Sequence, residues 1–143
     1  MIGADTTFLV QLEIREMPEH ARAHDLLKRE VLEPGETLAL VPQVLAEFVH
    51  VVTDPRRFTQ PLGMTDALTK AVFWWRAREV VHVYPTGEST LLFLEWMLLH
   101  GLGRKRLLDT QLASTLWAAG VRRVITSNAR EFAKYPGIEV VSP

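Results

Sequence analysis

Cysteine is absent from the 143-residue chain, which removes disulfides and thiolate metal sites. A reducing compartment suits such a chain. An excess of charge of one sign is missing too: 16 Lys and Arg stand against 17 Asp and Glu, a formal net charge of -1. Bulk basicity that would advertise nucleic acid is therefore excluded, and any such binding has to rest on a local patch. Long apolar runs are also lacking. The most apolar stretch, TLLFLEWMLL from Thr90 to Leu99, is about half a membrane span and contains Glu95. The N-terminal MIGADTTFLVQLEIRE has no basic leader and carries Asp5 where a signal peptide would be apolar. The expectation is a cytoplasmic protein with no membrane segment.

What is present describes a globular protein. The chain is 48% hydrophobic and 23% charged, enough for one domain over residues 1–143 with a real core. No internal repeat or linker divides it. MIGADT reads as a short strand ending near Asp5, followed by a brief helix. Pro18 suits the first turn of a helix to about Leu32, with Ala23, Leu26, Leu27 and Val31 on one face. EPGE is a turn and TLALV a buried strand. Pro42 opens a helix whose stripe is Val44, Leu45, Phe48, Val49 and Val52. TDPRRFTQPLG is a loop, and from Thr65 a helix turns Ala67, Leu68, Ala71, Val72 and Trp75 inward. VVHVYP is strand-like. A helix then runs to about Leu99, where Gly101 and Gly103 end it. Asp109 starts the next helix, which Gly120 closes. RRVIT and GIEVVS are the last strands.

Strands alternating with helices predict an α/β fold with a parallel, helix-covered sheet. In such sheets ligands bind beyond the carboxyl ends of the strands, where strand order reverses. Asp5 closes the first strand, where a desolvated acid needs something to offset its charge; alone it is equally an N-cap. Glu47 lies on the border of its helix's apolar stripe; alone it is more often an ordinary flanking acid. Asp109 fits an N-cap, and a carboxylate has lone pairs for a metal as well. Asn128 follows the strand RRVIT directly and Glu131 comes one turn later, although Asn there is usually a turn former. The conjunction matters more than any member. Acids from distant segments brought to one edge repel one another, and a hard cation such as Mg²⁺ or Mn²⁺ relieves that cost.

These segments carry a family resemblance over nearly the whole chain. ADTTFLV, VPQVLAEFVHVVTDPRRF, GRKRLLDTQLAS and VITSNAREFAKYPGIEVV, in that order, resemble the PIN-domain ribonucleases and, within them, the VapC toxins of toxin–antitoxin pairs. The resemblance implies a PIN-like three-layer α/β/α sandwich around a mostly parallel sheet of about five strands. It implies a Mg²⁺- or Mn²⁺-dependent endoribonuclease that hydrolyses RNA phosphodiesters. Asp5 and Asp109 would be the main metal ligands, and Glu47 would orient or deprotonate the attacking water. Many members have a fourth acid where this chain has Asn128; Glu131 stands as its alternative. Thr7 departs from the family's common Asn.

Arg56, Arg57 and the run Arg104-Lys105-Arg106 are the available basic patches for RNA backbone contacts, with solvated loop charge an equal reading. The helix STLLFLEWMLLH is apolar on nearly every face and so is expected to be buried on more than one side. It, or a neighbouring helix, is assigned to a homodimer or to a VapB-type antitoxin. Trp74 and Trp75 cannot both face one core, which leaves one ring for an interface. No role falls to the five histidines. The competing reading is a catalytically weak PIN-like module that binds RNA or protein. A phosphotransferase of the aspartyl-phosphate kind is set aside, because Thr7 stands where a second Asp would be needed.

Overall fold

The computed structural model describes all residues, Met1–Pro143. Strands β1 (Ile2–Ala4), β2 (Leu38–Leu40), β3 (Val80–His82), β4 (Arg123–Ile125) and β5 (Glu139–Val141) are joined in one sheet of order β3-β2-β1-β4-β5. Every pairing is parallel. Parallel strands need long crossovers, and helices supply them: α1 (Thr6–Glu13), α2 (His20–Leu27), α3 (Pro42–Val52), α4 (Met64–Arg76), α5 (Gly87–Leu99), α6 (Leu107–Ala118) and α7 (Ala129–Phe132). Helices α1 to α4 pack among themselves, and α5, α6 and α7 do likewise. The sheet between them gives the α/β/α layering that the sequence led us to expect.

The central strands are apolar on both faces, as covered strands must be. Ile2, Ala4, Ala39, Leu40, Val124 and Ile125 are all fully buried. Gly3 lets α6 come close: a Cβ there would stand 2.7 Å from Leu116 Cδ1. The chain moves outward from β1 to β2 and β3, then returns across the sheet to β4 and β5. Strand order therefore reverses between β1 and β4, and their carboxyl ends open the crevice where such sheets bind ligands.

Four local expectations are corrected. The helix drawn from Pro18 to Leu32 is α2 followed by a separate π-helical turn, Lys28–Leu32. Helix α4 turns Ala67, Ala71 and Trp74 inward, while Leu68 and Val72 are about half exposed. The face that meets the core is displaced by about one position from the expected apolar stripe. Trp74 is the inward ring, its Nε1 donating to Glu13 Oε1 at 2.9 Å, and Trp75 stacks on His82 at 3.6 Å. Helix α5 is not buried on several sides: Trp96 lies inside, but Leu98 is 84% and Leu99 75% exposed. Finally, the helix carrying Asp109 begins earlier, at Leu107, after a 3₁₀ turn over Arg104–Arg106. No helix is long and apolar enough to cross a membrane.

His20 and His24 also gain a place. Their rings lie 2.8 Å from the carbonyl oxygens of Gln11 and Leu12. Those carbonyls belong to the last turn of α1, whose acceptors lack intrahelical partners. The pair is a cap built from the next helix.

Candidate active site

Asp5 sits where β1 becomes α1. It is the N-cap of α1, with Oδ1 accepting from Thr6 N at 2.7 Å. Its Oδ2 accepts from Thr126 Oγ1 at 2.6 Å and from Thr7 Oγ1 at 3.4 Å. Thr126 follows β4, the strand beside β1, so the two ends are tied across the point where strand order reverses. Thr126 Oγ1 also accepts from Asn128 N at 2.9 Å. Only 3% of Asp5 is exposed. Burial pushes its carboxyl above the usual range, the Thr126 and Thr6 hydrogen bonds work against that, and Glu47 adds to the rise.

Glu47 is on α3 and reaches the same place. Its Oε2 accepts from Thr6 Oγ1 at 2.9 Å and its Oε1 from Gln43 Nε2 at 3.0 Å. Gln43 Nε2 also donates to Leu108 O on α6 at 3.0 Å. One residue of the first turn of α1 thus ties Glu47 beside Asp5, and one turn of α3 ties it to the segment that carries Asp109.

Asp109 is not the N-cap expected from sequence. Arg106 holds that position, and Asp109 lies inside the first turn of α6. An acid there still faces the positive end of the helix dipole. Its carboxyl is nevertheless pushed up to about 6, first by burial and then by the charge of Asp5, Glu47 and Glu131; the Arg106 guanidinium opposes this. Thr6 joins Asp5 to Glu47, Gln43 joins Glu47 to Leu108 beside Asp109, and Arg106 joins Asp109 to Glu131, so these contacts link the four acids along one edge of the sheet.

Arg106 is the one basic group in their midst. It pairs with Glu131 and, at 3.4 Å, with Asp109 Oδ2. It also donates to Glu131 O and to Tyr135 Oη, each at 2.8 Å. Its grouping with Arg104 and Lys105 as one RNA-facing patch is therefore corrected: Arg106 turns inward, while Arg104 and Lys105 are exposed. Arg56 and Arg57 both pair with Asp54, at 3.2 and 3.4 Å. Both are exposed, and Arg57 lines a cavity together with Thr6 and Thr7. Asn128 caps α7 without a side-chain bond to it and is exposed. Thr126 and Gln43 are the site residues that the sequence did not single out, and Arg106, expected among the RNA contacts, is instead a partner of the acids. Thr126 had a signal: it stands after β4 as Asp5 stands after β1.

No group of three or more acidic or histidine side chains is placed so that it could hold a metal ion. The donor chemistry nevertheless fits a hard divalent cation. The candidates are carboxylates, the charges of Asp5, Glu47 and Glu131 push up the Asp109 carboxyl, and the one guanidinium among them is shared between Asp109 and Glu131. A proton or a cation is what such a cluster lacks.

Solved structures share this architecture. VapC20 of Mycobacterium tuberculosis, a sarcin-ricin loop cleaving toxin, aligns with TM-score 0.68 at 17% identity over 87% of each chain. VapBC-1 of nontypeable Haemophilus influenzae aligns with TM-score 0.67 at 17% identity over 99% of this chain and 98% of its own. VapBC2 of Rickettsia felis, bound to a DNA fragment from its promoter, aligns with TM-score 0.65 at 19% identity, covering 100% and 99%. The fold is the PIN-like fold of the VapC toxins. In sequence, the chain is 39% identical over 67 residues to ribonuclease VapC43 of Mycobacterium tuberculosis and equally to a VapC ribonuclease of Mycobacterium bovis. That match covers 47% of this chain and 45% of the relative, so the chain spans about half the length of the curated relatives it matches. No family model matches. The VapC likeness is thus complete in fold and partial in sequence.

Proposed function

We propose that this VapC-like chain is a Mg²⁺- or Mn²⁺-dependent endoribonuclease and the toxin of a toxin–antitoxin pair. The observation that carries the reading is the chain of contacts that joins the acids beyond β1 and β4: Thr6 holds Asp5 and Glu47, Gln43 ties Glu47 to the segment of Asp109, and Arg106 ties Asp109 to Glu131. The VapC ribonucleases among its sequence relatives support the same chemistry.

Asp5 and Asp109 would hold the cation, with Glu47 completing the acidic set. When bound, such an ion polarises a phosphoryl oxygen and lowers the pKa of water. The protein's own groups do the rest. Thr6 N and Thr126 Oγ1 fix both Asp5 oxygens, so the carboxylate is presented without rotamer search. Thr6 and Gln43 hold Glu47 from opposite sides, in place to orient an attacking water and accept its proton. Glu131 serves as the outer acid, and Arg106 holds it and tempers the cluster's charge. Asn128 lies beside these groups, with its backbone anchored to Thr126. Arg57, Arg104, Lys105 and Arg56 supply phosphate contacts along an RNA strand.

The partners implied are RNA, a VapB-type antitoxin and a second copy of the chain. Apolar surface is available for the protein partners: Leu91, Leu94, Leu98 and Leu99 on α5 are exposed. A groove of about 370 Å³ between α3 and α4 is lined by Pro42, Leu45, Leu68, Ala71, Val72 and Trp75. A monomer in sedimentation at micromolar concentration would remove the homodimer.

The decisive experiment pairs cleavage with growth. RNA cleavage by the purified protein is expected to stop with EDTA, return with Mg²⁺ or Mn²⁺, and be lost in Asp5→Asn with the fold retained. Induced wild type is expected to arrest growth and Asp5→Asn not to. Equal arrest by both would favour the weaker alternative, a binding module whose acids are structural.

A further inference from the structure

Beside the acids lies a cavity of about 410 Å³, lined in part by Thr6 and Thr7. It is therefore continuous with the residues that hold Asp5 and Glu47. Val10, Met17, Val51 and Phe58 give it apolar walls, and Gln11, Glu19, Ser127 and Arg57 its polar groups. Gln11 is only 1% exposed. Its Nε2 donates to Ser127 Oγ, but Oε1 is buried with no partner. Glu19 Oε2, in the same lining, is also buried and unpartnered. Buried acceptors left unsatisfied are costly, and such groups call for an explanation. The Gln11 backbone is held by His20 through its carbonyl, so the side chain projects from a fixed base.

We propose that this cavity is the subsite for a nucleobase flanking the cleaved phosphate, and that it selects bases bearing an exocyclic amine. The proposal rests on the ribonuclease reading and names part of its substrate preference. Single-stranded RNA is read by splayed bases that are enclosed by apolar or aromatic groups and hydrogen-bonded on their edges. Two unpartnered acceptor oxygens ask for N–H donors. Adenine, cytosine and guanine carry an exocyclic –NH₂; uracil sets carbonyl oxygens on both sides of its one ring N–H. The apolar walls suit a planar ring. Arg57 suits an adjoining phosphate, and its charge disfavours the other donor-rich guest, a cationic side chain from a protein partner.

The test is direct binding, read separately from cleavage. AMP, CMP, GMP and UMP are titrated into the full-length protein while backbone amide shifts are followed by NMR. Shifts are expected at Thr7, Gln11, Phe58 and Ser127, with UMP weaker than the other three by about threefold to tenfold, the scale of one hydrogen bond. Gln11→Met, close in volume but without an acceptor, is expected to shrink that difference, and Gln11→Met with Glu19→Met to erase it. Should Gln11→Met fail to fold, Val51→Phe fills the cavity from α3 and is expected to abolish the shifts. Equal binding of UMP, shifts elsewhere only, or saturation by free arginine in place of nucleotides would each overturn the subsite. Loss of cleavage dependence on Asp5, with these shifts intact, would instead sink the ribonuclease reading and leave a nucleotide site.

Discussion

Removing one charge from the acidic cluster is expected to stabilise the protein while disabling it. In the folded chain the Asp109 carboxyl is pushed up to about 6, from an ordinary value of 3.8. The native state therefore binds more protons than the unfolded chain between those values, and stability must fall as pH rises through that window. The contribution is complete below about pH 4 and is lost by about pH 7. Each pH unit of difference corresponds to about 1.4 kcal/mol, so the full penalty approaches about 3 kcal/mol. The Asp109 side chain is 27% exposed, and solvent screening reduces the figure to about 1–2 kcal/mol.

Asp109→Asn keeps the shape and discards the charge. At pH 7.5 without divalent ions it is expected to melt higher than wild type by about 3–6 °C, taking about 3 °C per kcal/mol for a chain of this size. At pH 4 the two should melt together. Added Mg²⁺ should raise the melting temperature of wild type, because an ion that binds only the folded state stabilises it, and should do less for the variant. Differential scanning fluorimetry with and without EDTA reads all of this. If Asp109→Asn melts at or below wild type at pH 7.5, or its gain is the same at pH 4, the acids do not burden one another as described.

Thr126→Val removes the hydroxyl shared by Asp5 Oδ2 and Asn128 N. It is expected to cost about 1–3 kcal/mol in urea unfolding, because a buried acceptor is left unmade, and to raise the Asp5 pKa further. Arg106→Met leaves Glu131, Asp109 and Tyr135 without their common donor. With the opposing cation gone, Asp109 should titrate higher, and the acid limb of the cleavage pH profile should move upward. An unchanged limb would remove Arg106 from the positioning of the site. Gly137 has φ +72°, and a Cβ there would stand 2.8 Å from the Trp117 ring. Gly137→Ala is therefore expected to destabilise by about 1–3 kcal/mol in the same assay, with cleavage unaffected below the melting point.

The layer order could be read from the sequence because it rests on a local rule, and the same rule marks Asp5 as a candidate. Alternation of strand and helix gives a parallel sheet, and Asp5 ends a strand whose residues are buried on both faces. Helix phase and helix starts were harder. On α4 the residues Leu68 and Val72 are as apolar as Ala67 and Ala71, so hydrophobic spacing alone cannot tell the face that meets the core from one left for a partner. Before α6, Arg104–Arg106 forms a 3₁₀ turn. A strong N-cap type at Asp109 therefore masked a helix that had already begun.

Thr126, and the role that Arg106 takes among the acids, are illegible in the sequence for a different reason. Their importance comes from pairs far apart in the chain: Thr126 meets Asp5, and Arg106 meets Glu131 and Tyr135. No periodicity encodes such pairs, whereas the order of strands does. Once β1 and β4 are neighbours, whatever follows β4 must face Asp5, and a hydroxyl there offsets a buried carboxylate without neutralising it. A lysine or arginine at position 126 would have satisfied Asp5 more fully and left no demand for a cation. Threonine opposes the effect of burial on Asp5 through one hydrogen bond and adds no positive charge, which leaves the place that the proposed reading gives to a cation.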